Sequence, residues 1–268
     1  IHGYVGFKII PAVGFSVYNN IIAWVLLSFI AFLPIAPIGF RFMGVESKLI
    51  DKFSLLGYTS LGFFVITFII LIFKEMMIFA VLGLEKILPF FSKSTEIIND
   101  DRRDFLQKSL SVGVLTITTP SAVYGFYEAR KGPSIIEQKI KLGNKLPDSF
   151  NGMTIAQISD LHVGPTIKKG YVENVVAKIS QVNPDMIVIT GDLIDGSIKH
   201  LRNDLAPLAD LSASCGVYFV TGNHEYYSGV DYCVEHIDKL GITNLINEHI
   251  VINKNKDNII LAGVTDFR

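Results

Sequence analysis

The sequence predicts an α/β domain with a largely parallel sheet, carried behind a block of membrane-spanning helices. Three observations lead there. Apolar residues crowd ahead of about residue 128, short β-branched runs alternate with helical spacing after it, and three of those runs end in a polar cluster. Of the 268 residues, 50% are hydrophobic and only 18% charged, with a mean hydropathy of +0.42. Water-soluble domains are nearer a quarter charged, so part of the chain is expected outside water. The formal net charge of -1 offers no basic face to a phosphate backbone, so no nucleic-acid partner is expected. Cys215 and Cys233 lack zinc-site spacing and are too few for a disulfide framework. They read as two unrelated buried thiols, with a single bridge as the alternative in an oxidising compartment.

The membrane region is read as residues 1–128, with several transmembrane helices. Residues 21–40 hold no charge but include Pro34 and Pro37, and residues 55–73 are again uncharged. Both runs, of about twenty residues, are long enough to cross a bilayer as helices. Residues 76–91 are shorter, with Glu85-Lys86 near their end, and fit either a short span or an interfacial helix. Asp101-Arg102-Arg103-Asp104-Phe105-Leu106-Gln107-Lys108, followed by a mildly apolar stretch at 110–126, resembles a twin-arginine export signal. Flanking charges of one more span are the other reading. If residues 76–91 span, Arg41, Lys48, Lys52, Lys93, Arg102, Arg103 and Lys108 all fall on one side, against Lys74 alone on the other. That charge bias predicts a cell-membrane protein whose following domain lies on the extracytoplasmic side.

Residues 129–152 read as a linker with a weakly alternating first strand at 134–142, and the main domain as 153–268. Strands are expected at 153–159, 186–190, 217–221, 250–252 and 259–264. Helices are expected at 169–182, at 201–211 around Pro207, and at 230–240. Strand, helix, strand, helix, strand implies parallel pairing, with functional loops at the carboxyl ends of the strands.

All three polar clusters sit at those ends. Asp160-Leu161-His162 puts a carboxylate and an imidazole at i, i+2, so both can face one site while Leu161 turns back to the core. That donor pair suits borderline divalent metals such as Mn, Fe or Zn better than Ca. Gly191-Asp192 supplies a carboxylate able to bridge two cations, and Gly222-Asn223-His224-Glu225 adds an amide oxygen and a proton-competent imidazole. Each cluster alone is also an ordinary turn; their order and near-equal spacing, roughly thirty residues apart, point to one metal site. Tyr226-Tyr227 fit a surface turn better than a substrate mouth, and Lys168-Lys169 a solvated helix start.

Asp160-x-His162, Gly191-Asp192 and Gly222-Asn223-His224-Glu225 resemble the first three blocks of the calcineurin-like metallophosphoesterases. The run from Ile158 to Gly164 and the ending Ala262-Gly263-Val264-x-Asp266 are similar to that family's membrane-associated bacterial branch. The resemblance implies a four-layer α/β/β/α sandwich, here incomplete, with residues 153–268 as its N-terminal part. It implies two divalent metal ions, with Asp160 and His162 on the first, Asp192 bridging, Asn223 on the second, and His224 as the catalytic acid. The implied activity is hydrolysis of a phosphoester or pyrophosphate bond, and the membrane anchoring suggests a lipid-linked or envelope substrate. A non-catalytic membrane receptor or scaffold on the same fold is the competing expectation. The family completes its site with a further His and a Gly-His-x-His block, which these 268 residues do not contain. The sequence is therefore read as truncated at both ends, and this piece is expected to bind metal weakly and turn over poorly. His2, His200, His236 and His249 match none of the blocks and read as structural or exposed.

Overall fold

The computed structural model describes residues 1–87 and 100–266 and divides into two compact units, Ile1–Arg130 and Lys131–Arg268. The elements described in the first unit are all helices: α1 (His2–Val13), α2 (Val17–Phe32), α3 (Ile35–Phe42), α4 (Lys48–Ile87) and α5 (Asp100–Arg130). Ser16 caps α2 by accepting the Asn19 N–H, and the chain breaks at Leu33-Pro34, where proline ends the first run. By length and composition, two stretches are able to cross a membrane, Val17–Phe42 and Lys48–Val81. Fully buried Leu71 of α4 packs with Val5 and Ile9 of α1 and Val114 of α5.

Two sequence expectations change here. Among the described residues no separate span starts at 76, because 76–87 continue α4, which runs unbroken for 40 residues through Lys74 and Glu75. The last residues of that stretch, and the side chains of Glu85 and Lys86, lie outside the described residues. The charge count that put the next domain outside needs Lys74 in a loop, and a continuous helix removes that loop. The first unit also holds a charge cluster not anticipated from sequence. Glu75 pairs with Lys8 at 3.0 Å and Lys74 at 3.1 Å, and Lys74 donates to Ser111 at 2.8 Å. The four residues sit on α1, α4 and α5, so the Lys8 and Ser111 contacts form only when those helices meet.

The second unit is a four-stranded parallel sheet in the order β1 (Ile155–Ile158), β2 (Met186–Thr190), β3 (Val217–Val220), β4 (Thr243–Asn244). Alternation along each strand separates two faces. Ile158, Ile187, Ile189, Val217 and Phe219 pack with α6 (Lys169–Val182), α7 (Ile198–Leu205) and α9 (Val230–Lys239). Met186, Val188 and Tyr218 point the other way, onto an antiparallel hairpin of β5 (Glu248–Lys254) and β6 (Asp257–Gly263) that contributes Ile250, Ile252, Ile259 and Leu261. Helices on one face and a second sheet on the other explain why β2 reads as a continuous apolar run.

Local chemistry sets the breaks. Asn183, left-handed at φ 48, closes α6 ahead of Pro184. Ser197 caps α7 by accepting the His200 N–H, and Pro207 turns its continuation into a tighter 3-10 segment over Ala206–Asp210. Residues 134–142 form no strand among the described residues: the segment has no regular secondary structure, with Ile136 and Ile140 exposed, and Lys178 donates to the Pro133 carbonyl at its start. Its alternation is real, but it has no ladder partner there. The hairpin turn is shorter than expected, only Asn255-Lys256 with Asn255 left-handed, so Asn253 and Asn258 are paired strand residues. Cys215 and Cys233 are free thiols. Phe219 is fully buried at the centre of the helix-facing core, so Phe219→Ala is expected to destabilise this unit by about 3–5 kcal/mol. Chemical unfolding of the complete protein in detergent checks this, with exposed Tyr227→Ala as the near-neutral control.

Candidate metal centre

The parallel ladder brings the three polar clusters together. Ile158 stands opposite Ile189, and Ile189 opposite Phe219, so the chain leaves β1, β2 and β3 at adjacent points. Past the strand ends the first two loops stay stitched. The Asp160 N–H donates to the Gly191 carbonyl (3.3 Å), His162 N–H to Asp192 (2.9 Å) and Val163 N–H to Leu193 (2.8 Å). Leu161, Val163, Leu193 and Ile194 are buried, so the apolar members of each loop turn inward and the polar ones are left together.

Asp160, His162 and Asp192 adopt left-handed backbone at φ 54, 47 and 50. Few non-glycine residues do so, and each such position costs roughly 1–3 kcal/mol, so the surrounding hydrogen bonds must hold it. Gly191 and Gly222 let the loops approach. A Cβ on Gly222 would stand 2.5 Å from the Asp192 nitrogen and closer still to its carboxylate.

His162, Asp192 and His224 present nitrogen and carboxylate atoms that all lie within 4.8 Å of one another. His162 Nε2 is 3.8 Å from Asp192 Oδ2 and 4.0 Å from Asp160 Oδ1. Asp160 sits at the rim, its carboxylate 65% exposed against 18% for Asp192, and it accepts from the Ser159 hydroxyl. The amide end of Asn223 lies 2.9 and 3.0 Å from the two Asp192 oxygens. With its NH2 turned to that carboxylate, Asn223 donates to both oxygens. All five residues singled out from the sequence thus lie near one another: His162, Asn223 and His224 each adjoin Asp192, and Asp160 adjoins His162. Two carboxylates, an imidazole and an amide oxygen converging on one edge form a donor set that fits divalent ions.

Two residues of the site carried no role in the sequence reading. Asp195 meets His224 Nδ1 at 3.3 Å, and its signal was only its position three residues after Asp192. Glu225 is fully buried and reaches back to the Gly222 N–H, the return half of a capping box at the start of α8 (Asn223–Ser228). Burial, with the Glu225 charge adding, pushes the Cys233 thiol beneath it up to about 12. The His162 and His224 rings pack edge to face at 4.5 Å, and Tyr227 stands edge-on to His224 at 5.8 Å.

Residues 153–266 match the family model of the calcineurin-like phosphoesterases, and the chain belongs to that family through this domain. Calcineurin-like phosphoesterases are metal-dependent. Among curated relatives, the transmembrane protein with metallophosphoesterase domain of Danio rerio is 34% identical over 218 residues, covering 80% of this chain and 48% of that protein. An uncharacterized metallophosphoesterase of Helicobacter pylori is 35% identical over 179 residues, 66% of this chain and 46% of that protein. The UDP-2,3-diacylglucosamine pyrophosphatase LpxG of Chlamydia muridarum is 36% identical over 90 residues, 32% of this chain and 27% of that protein. The chain spans about half the length of the first two relatives.

The close approach of the glycine loops is a direct test of the geometry. Gly222→Ala is expected to displace the Asp192 carboxylate and weaken binding of Mn2+ by the complete protein at least about ten-fold. Its far-ultraviolet circular dichroism should be unchanged; native-like affinity would show that the loops are not packed this tightly.

Proposed function

We propose that the complete protein is a membrane-anchored, dinuclear-metal phosphohydrolase that cleaves a phosphoester or pyrophosphate bond. The observation that carries this reading is the convergence of His162, Asp192 and His224, within 4.8 Å, at the ends of parallel strands. Divalent ions held there, Mn, Fe or Zn, supply Lewis-acid polarisation of the phosphoryl group and activation of water.

In this reading Asp160 and His162 would hold the first ion, Asp192 would be shared between the two, and Asn223 would hold the second. Asp195 holds His224 through Nδ1, fixing the ring and leaving Nε2 to deliver a proton to the leaving oxygen. The same grouping supports a second assignment, His224 as ligand. The two part in His224→Ala: an acid's loss lowers kcat with Mn2+ affinity intact, a ligand's loss lowers the affinity.

The substrate we propose is phosphorylated and lipid-linked or part of the cell envelope. A membrane unit on the same chain supports this, as does likeness to a pyrophosphatase whose name specifies a diacylated sugar nucleotide. We further propose that the domain faces away from the cytoplasm. The paired Arg102-Arg103 in the first turns of α5, ahead of an uncharged stretch at 109–127, supports that orientation.

In the complete, Mn2+-loaded protein, Asp192→Asn and His224→Ala are each expected to lower kcat on an aryl phosphate ester by about 10²–10⁴-fold. Native rates in both variants would sink the mechanism, and a wild-type protein with no hydrolysis would favour a scaffold. Protease added to intact cells should digest the 153–266 region; digestion only after permeabilisation would reverse the orientation.

A further inference from the structure

We infer that Glu225 is a positioning residue of this site: its carboxylate locks the β2 and β3 loops together and sets where Asp192 and Asn223 stand. The inference rests on the metal reading proposed above and adds a residue to it that touches neither metal nor substrate.

The geometry is unusually complete for one side chain. Glu225 Oε1 accepts from Leu193 N–H (2.8 Å) and Ile194 N–H (3.1 Å), and Oε2 from Gly222 N–H (2.7 Å) and Asp192 N–H (3.0 Å). Three donors come from the loop after β2 and one from the loop after β3, while Glu225 itself rides on α8. The β2 ladder stops at Thr190, so these amides have left the sheet, and the left-handed turn at Asp192 points consecutive N–H groups at one spot. The carboxylate is fully buried, which makes each acceptor position matter: a buried N–H without a partner costs about 1–3 kcal/mol.

From there the link runs on to the donors. Asp192, tied to Glu225 through its own N–H, accepts the His224 N–H on Oδ1 at 3.0 Å, and its carboxylate faces the Asn223 amide. Loops that slip apart at Glu225 therefore pull apart the shared carboxylate, the second-ion amide and the imidazole together. Glutamine keeps the volume of Glu225 but offers one acceptor oxygen, and its NH2 would face two N–H donors. Aspartate keeps the acceptors and the charge but falls one methylene short. If Glu225 only filled space, Glu225→Gln would be nearly silent and Glu225→Asp the worse change. A positioning role reverses that order.

The test uses the complete protein in detergent and reads Mn2+ binding from the free-ion electron paramagnetic resonance signal, beside unfolding followed by circular dichroism. Glu225→Gln is expected to bind Mn2+ about 10–100-fold more weakly, with a smaller loss in Glu225→Asp. In both variants kcat/KM should recover partly as Mn2+ is raised, in protein whose circular dichroism is already native before Mn2+ is added, which separates lost affinity from lost fold. Native Mn2+ affinity in a folded Glu225→Gln overturns the inference, as does Glu225→Asp binding more weakly than Glu225→Gln. If Glu225→Gln does not fold, native affinity in Glu225→Asp overturns it. If neither folds even at saturating Mn2+, Glu225 serves the fold and not the site, and the inference fails. Asp192→Asn separates the levels: unchanged affinity there removes the metal reading itself, whatever Glu225 does.

Discussion

The parallel register of β1, β2 and β3 is the constraint on which the site depends. Ladder bonds hold Ile158, Ile189 and Phe219 side by side, and the apolar faces of these strands are buried against helices. A slip of one residue in any strand would turn its buried face outward and move its polar cluster out of line. Because a register error costs that burial, the core enforces the position of the chemistry. The polar residues add little to the stability of the sheet and inherit their place from it.

That inheritance has a local cost. Three of the polar residues stand in left-handed backbone, a conformation that side chains disfavour and that repeats here at Asp160, His162 and Asp192. Each is flanked by a buried apolar neighbour and fixed by a backbone bond to the adjacent loop. The loops thus trade conformational ease for convergence, and the hydrophobic residues between the polar ones act as the anchors.

Much of this was legible in the sequence because period and punctuation report local structure. Met186 to Thr190 could only be a covered strand, Asn183-Pro184 marked a helix end, and the clusters after β1, β2 and β3 announced the loops. What depended on partners was not legible. Residues 134–142 alternate like a strand, yet alternation says nothing about whether a neighbouring edge is in reach. The two-residue β4 is too short to leave a pattern and exists through its bonds to β3. The continuity of α4 through Lys74-Glu75 was hidden because a charged pair reads as a loop until Lys8 and Ser111 arrive from other helices. Asp195 and Glu225 look like ordinary acidic residues in turns; only the fold reveals what each one faces.

The length of α4 has a consequence for the bilayer. Forty residues make a rod of about 60 Å, roughly twice the hydrocarbon thickness. Tilting alone would have to reach about 60° to hide it, beyond the range of about 0–40° that membrane helices adopt. The uncharged stretch between Lys52 and Lys74 already matches the bilayer core, yet Met76, Met77, Phe79 and Val81 continue past it with exposed apolar side chains. In a bilayer, a straight helix of this length would carry more apolar surface than the hydrocarbon covers, and Met76, Met77, Phe79 and Val81 would be the part left over.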